Sequence, residues 1–364
     1  MWLFSKYIDL LVLYLPVWLC WLVLFSLPET WLQADIPLWV WVVFVLCIDV
    51  GHVWSTIFRT YLDKEEFEQH KKLLIGAPLL AFLSVLGLAW YSEFGFWRVL
   101  AYLALFHFVK QQYGFLALYK AKARDFGVKK IFKDKWVLYW ATLYPVLYWH
   151  LAEGLNFNWF VVDDFVGLRA YLPVSAVFWE GFFVVGNMLY GLMLLAWLIE
   201  ERVKSRNWQW GKILWMLTTA LNWYGGIVYF NSDLVFTVTN VVAHGLPYMA
   251  LIIYYQYQKQ QLQQKTNRKP WWYWSVLIVL TVICLGWLEE YFWDMLLYGE
   301  RPEFFAALWP YPMALLEQPW AKALAFALLA LPQLTHYIID GFIWKSNAKN
   351  PYVRDVFGAA RKGE

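Results

Sequence analysis

The chain has 364 residues, of which 61% are hydrophobic and only 16% charged, and its mean hydropathy is positive. A soluble domain carries about 25% charged residues on average, so this composition excludes an ordinary water-soluble protein. The net charge of +3 gives no sign of nucleic-acid binding and is informative only through its distribution along the chain.

The apolar residues fall into blocks of roughly 20, the length needed to cross a bilayer as a helix. Ten spans are predicted in chain order, with cores at 8–27, 38–59, 73–90, 96–118, 136–152, 175–199, 213–230, 235–255, 273–287 and 321–344. The first follows Lys6 as a signal peptide would. It is too long for an h-region, however, and no small-x-small cleavage site follows, so it reads as a membrane helix. The fold class is therefore an all-α polytopic bundle, a single integral membrane domain over 1–364 without an internal repeat.

Basic residues orient the bundle. With the N-terminus inside, 25 of the 30 Lys and Arg fall in cytoplasmic segments. Arg98, Arg169, Arg301 and Lys322 lie outside, and Lys110 lies within the membrane. Both termini are predicted to be cytoplasmic. Residues 119–135 and 256–270 read as basic cytoplasmic loops that touch the headgroups of membrane lipids. Residues 289–319, containing "LWPYPMALLEQPW", read as an outer interfacial or re-entrant segment. The 27 Trp and 24 Tyr serve either as interfacial anchors or as the lining of a substrate cavity. Cys20, Cys47 and Cys284 form no C-x-x-C pair, so neither disulfides nor covalently attached haem is expected. The chain has no N-x-S/T sequon, which is compatible with a bacterial inner (plasma) membrane.

Of six histidines, His70 sits in "EEFEQHKK", a predicted solvated loop, and His150 near the outer end of span five. The other four, His52, His107, His244 and His336, fall on spans two, four, eight and ten, all running from outside to inside. They come roughly 9 to 15 residues from the outer ends, which at about 1.5 Å per residue places them in one slab from mid-membrane towards the cytoplasm. Each has polar companions at helical spacing. Span two aligns Asp49, His52, Thr56 and Arg59; span four places Lys110 and Gln111 beyond His107. Span eight aligns Thr237, Asn240 and His244, with Tyr248 a turn further, and span ten aligns Gln333, His336 and Asp340. An Asp or Lys at a helix centre costs about 2.5–3.5 kcal/mol, so Asp49, Lys110 and Asp340 are expected to face a polar centre.

Neutral imidazoles beside carboxylates suit a non-haem metal site. The expected ligands are His52, His107, His244 and His336, with Asp49 and Asp340 as further ligands or proton acceptors. Asp49, Lys110 and Asp340 are the catalytic candidates. Gln111, Asn240, Gln333 and Arg59 are the expected supporting residues. Iron is the leading metal, with copper, zinc or haem b as alternatives. Burial of such a site points to a lipophilic substrate arriving from the bilayer, oxidised by an oxygenase-type reaction. No motif identifies an electron donor. The competing readings are a b-type haem redox protein, a zinc-dependent lipid hydrolase and a proton-coupled transporter.

"FHF" at 106–108 and the His244-Gly245 pair resemble motifs of the Brp/Blh-type membrane carotenoid dioxygenases, although there the histidine and glycine are followed by aspartate and here by Leu-Pro-Tyr. The resemblance implies iron held by His52, His107, His244 and His336 and cleavage of a polyene. The ending "HYIIDGFIWK", His336 to Lys345, also resembles the close of uncharacterised bacterial polytopic membrane proteins.

Overall fold

Helices occupy all ten predicted span positions. The computed structural model describes residues 1–123, 130–204, 208–264, 266–305, 318–345, 347 and 350–357, and every regular element among them is helical. The longer helices are, in order, α1 (Lys6–Ser26), α2 (Leu38–Arg59), α3 (Lys64–Tyr91), α4 (Glu93–Ala123), α5 (Asp134–Leu151), α6 (Ala176–Lys204), α7 (Trp210–Trp223), α8 (Asp233–Leu262), α9 (Trp271–Tyr298), α10 (Pro319–Leu329) and α11 (Leu331–Ile343). Among the described residues α1, α2, α3, α6, α8 and α9 are long and apolar enough to cross a membrane, and the bent pair α10–α11 makes a seventh. These features mark a membrane protein. α4, α5 and α7 are not in that set; α4 carries His107, Lys110, Gln111 and Gln112 near its middle.

Local chemistry sets the boundaries. Asp63 caps α3 by accepting from the Glu66 amide, and Glu65 and Glu66 place negative charge in the first turn, where the helix dipole favours it. α9 ends at Gly299, whose positive φ of 62° suits a residue without Cβ. The Asp294 carboxylate then accepts from the amides of Glu300 and Arg301. Between α10 and α11 the axis bends by 43° at Ala330, because Pro332 has no N–H to continue the helix and its ring crowds the preceding turn. α2 is wound with wider π-helical turns over Trp41–Val50 before reverting to α-helix at Gly51.

The chain divides into two compact units and passes from one to the other within α4 and, at Pro247, within α8. The first comprises Met1–Pro37 and Leu105–Pro247. Tyr190 of α6 donates to the carbonyls of Ala141 on α5 and Ala220 on α7, each at 3.0 Å. Trp21 of α1 donates to Asn222 of α7 at 2.7 Å, and Asn222 donates to the Thr239 carbonyl of α8 at 3.2 Å. Near the first turns of α5 and α7, Lys212 lies 2.8 Å from Glu201 and 3.7 Å from Asp134. Lys130 lies 2.6 Å from Glu201, and Trp197 donates to Asp134 at 2.8 Å.

The second unit comprises Leu38–Ala104 and Tyr248–Val356. Leu74 and Ala77 of α3 pack on Ile339 and Ile343 of α11. Gly286 of α9 lets α2 approach so closely that a Cβ there would sit 3.1 Å from the Leu46 carbonyl.

Several predicted boundaries move. α3 starts at Lys64, so most of the stretch before position 73 is helix. His70, expected in a solvated loop, is instead buried in α3 and hydrogen-bonded through Nε2 to Asn350 at 2.8 Å. Helix α8 continues to Leu262, seven residues into the predicted loop 256–270. Glu289 to Tyr298, the start of the predicted outer segment, continue α9 as helix. Charged residues at a span's end simply continue the helix. The predicted re-entrant piece falls largely on 306–317, outside the described residues.

Burial pushes the Asp134 carboxyl up, but Lys212, Lys120 and Trp197 outweigh it and hold the group below the usual carboxylate range. Its contribution is therefore full above about pH 4 and is lost as pH falls through the folded value. Burial likewise lowers Lys130, but Glu201 more than restores it and holds the ammonium above the usual range. That contribution is lost only at strongly alkaline pH. Asp134→Asn is expected to cost about 3–5 kcal/mol, as breaking a buried ion pair does. Thermal unfolding in detergent against pH checks both points, the wild type losing stability below about pH 4 and the variant showing a flatter acid limb.

Candidate functional site

The second unit brings together two of the four span histidines. His52, in the first α-helical turn after the π-wound part of α2, is 1% exposed, and His336 of α11 is equally buried. Their rings meet edge to face with centroids 5.0 Å apart, and each offers a ring nitrogen within 4.8 Å of the other. α2 supplies the side chain that links them to the rest of the unit. Thr56, one turn beyond His52, places its hydroxyl 2.7 Å from His336 Nδ1 and 3.1 Å from the hydroxyl of Tyr248. Tyr248 donates to Asp340 Oδ1 at 2.7 Å, and Trp344 Nε1 donates to the same oxygen at 2.8 Å. The chain His336–Thr56–Tyr248–Asp340 thus joins α2, α8 and α11.

Asp49 lies on the other side of His52, with Oδ1 3.6 Å from Nδ1, beyond hydrogen-bond length. Its side chain is 28% exposed, whereas those of His52 and Arg59 are at most 2% exposed. Asp49 thus stays beside His52, at the more exposed end of the stripe expected on span two. Trp54 donates to Glu289 of α9 at 2.6 Å. Gln333 donates to Tyr337 at 2.8 Å.

The first unit holds the other two. His107 of α4 and His244 of α8 meet edge to face with centroids 5.1 Å apart. The Phe108 ring stacks on His244 at 3.7 Å with the planes within 4°. Gln111 donates to the His244 backbone carbonyl at 2.8 Å, so this expected supporting residue does position the helix that carries the histidine.

Three expected site residues stand elsewhere. Lys110 is exposed, with its ammonium 5.6 Å from the ring centre of Tyr113 and 6.0 Å from that of Phe106. A lysine stem lies along aromatic surface while its charge reaches a polar level, so burial in a centre is unnecessary. Arg59 reaches neither Asp49 nor Asp340. It is ion-paired with Glu66, lies 4.0 Å over the Tyr255 ring and donates to the Ile343 carbonyl at 3.1 Å. Asn240 donates to the carbonyls of Phe236 at 3.2 Å and Asn222 at 3.4 Å, which ties α8 to α7.

The bridging roles of Thr56 and Tyr248 are the main features that spacing leaves undetected. Both residues stand on the polar stripes, but a hydroxyl's partner across helices is not encoded in the spacing along one helix. Glu66 and Lys259 were hidden for another reason. They flank apolar segments, and Lys259 finds Asp63 at 2.8 Å, Glu66 at 3.1 Å and Glu65 at 3.3 Å only once the fold is formed.

No family model, no curated protein and no solved structure matches this chain.

Thr56→Val removes the hydroxyl between His336 and Tyr248 without changing side-chain shape. We expect a loss of about 1–2 kcal/mol, against less than about 0.5 kcal/mol for Thr56→Ser, which retains the bond. Unfolding curves of the two variants in detergent check the difference.

Proposed function

We propose that this chain is a metal-dependent integral membrane enzyme whose metal is held by His52 and His336 and which oxidises a lipophilic substrate. The observation that carries this reading is the buried imidazole pair in contact with one ring fixed through Nδ1 by a hydroxyl. Metal-bound histidines use one ring nitrogen for the ion and the other for an orienting hydrogen bond. With Thr56 on Nδ1 of His336 and Asp49 beside Nδ1 of His52, the Nε2 atoms are the ligands of choice. One ring nitrogen of each histidine lies within 4.8 Å of the other's, and two bonds of about 2.1 Å to one ion need the rings to turn towards each other.

Each neighbour has a role in this proposal. Thr56 fixes the tautomer and plane of His336. Tyr248 and Asp340 hold Thr56 in turn, so Asp340 acts at a distance rather than as a ligand. Asp49, beside Nδ1 of His52, orients that imidazole as Thr56 orients His336, and imidazole ligands suit iron among other metals. Iron bound there supplies one-electron and dioxygen chemistry. The protein's part is to hold the imidazoles, exclude water and admit an apolar substrate from the bilayer. We place the enzyme in a bacterial inner membrane with ten spans and cytoplasmic termini, on the charge bias of its segments.

Haem b is the weaker reading. Axial histidines must lie on opposite faces of a porphyrin, whereas the rings of each pair touch edge to face at 5.0 and 5.1 Å.

Metal analysis with a visible spectrum on protein purified in detergent tests the proposal. We expect stoichiometric iron without a Soret band, lost in His52→Ala and in His336→Ala, and bound about 10–100-fold more weakly in Thr56→Val. Protein that folds and binds no metal overturns it. His107→Ala and His244→Ala test the four-histidine expectation, since metal retained in both restricts the centre to the second unit.

A further inference from the structure

The lysine that the metal centre leaves unused marks a separate surface in the first unit. Lys110 of α4 and Lys135, in the first turn of α5, are both exposed, and both approach one ring. Their ammoniums lie 5.6 and 5.8 Å from the centre of the Tyr113 ring. Two charges from different helices thus converge on one aromatic surface. Tyr139 extends it, with its ring centre 5.7 Å from that of Tyr113. Lys135 also lies 5.3 Å from the centre of the Trp136 ring.

Nearby lysines have their counter-charges. Lys120 pairs with Asp134 at 2.8 Å, and Lys130 pairs with Glu201 at 2.6 Å. Among the described residues, neither Lys110 nor Lys135 has a carboxylate within ion-pair distance. Two converging ammoniums repel each other, and a charge beside hydrocarbon is costly without a counter-charge. Aromatic faces supply only part of that need. The surroundings narrow what supplies the rest. Phe106, one turn before Lys110, and Leu143, one turn beyond Tyr139, are exposed apolar side chains on the same two helices. Trp136 is exposed as well, as tryptophan is at the polar edge of a membrane. A free anion gains nothing from this apolar surface, whereas acyl chains can lie along it.

We propose that this flank of α4 and α5 binds an anionic phospholipid, with its phosphate between the Lys110 and Lys135 ammoniums and its acyl chains along Phe106 and Leu143. Each ammonium donates to a phosphate oxygen. Basic sites between spans hold lipid phosphate in this way. A choline or ethanolamine headgroup brings its own cation, which two lysines repel. The site therefore selects for net negative charge.

Native mass spectrometry of the full chain in detergent, titrated with dioleoyl phosphatidylglycerol or dioleoyl phosphatidylcholine, tests the site. We expect the glycerol lipid to bind at least about tenfold more tightly than the choline lipid. Lys110→Gln and Lys135→Gln, both at exposed positions, are each expected to weaken the glycerol lipid about fivefold and to leave the choline lipid unchanged. Lys110→Arg, which keeps the charge, is expected to retain binding. Lys71→Gln, which removes an exposed lysine of α3 in the second unit, is expected to change neither lipid. Soluble glycerol 3-phosphate in excess is expected not to displace the lipid, because the acyl chains contribute to holding it. Equal binding of the two lipids by the wild type overturns the proposal, as does unchanged binding in both glutamine variants. An equal loss in Lys71→Gln also overturns it, since the response is then to net charge alone. Displacement by glycerol 3-phosphate overturns the assignment to a lipid in favour of a free anion.

Discussion

A single hydroxyl ties three helices of the second unit together. Thr56 Oγ1 stands between His336 and Tyr248, and through Tyr248 it reaches Asp340. In an apolar bundle each such group must find its partner inside the protein, because no water is at hand to replace it. That requirement fixes how α2, α8 and α11 may turn about their axes. It also sets which nitrogen of His336 is committed, and hence which one is left for chemistry.

The same constraint, applied to full charges, shapes the helix ends. Arg59 is buried with Glu66 and Tyr255, and Lys259 gathers Asp63, Glu65 and Glu66. In the first unit Lys130, Lys212, Asp134 and Glu201 form a comparable cluster. Each cluster joins helices distant in sequence, and each collects charges that a reading by hydropathy assigns to loops. Bonds to groups like these are costly to break, so the clusters set which helix ends stay together while the apolar surfaces remain interchangeable.

Much of the helical architecture was legible in the sequence. The blocks of apolar residues located every long helix, because a span's length and hydropathy are set by the bilayer and not by tertiary contacts. Asp340 and Tyr248, three to four residues from their neighbours on polar stripes, stood where regular helical spacing placed them. The departures have physical causes. Lys110 escaped burial because it stands on an exposed face of α4, with its ammonium beside Phe106 and Tyr113. His70 lay among charged residues, yet it is buried against Asn350 from nearly three hundred residues away, a contact no local pattern encodes.

The central claim is that His52 and His336 bind one ion through imidazole nitrogen. X-ray absorption at the iron edge, on purified wild-type protein loaded with ferrous iron, tests it most directly. The account predicts a nitrogen and oxygen shell with the outer-shell scattering of at least two imidazole rings. A spectrum without imidazole scattering, or iron that washes away with the detergent buffer, would contradict it.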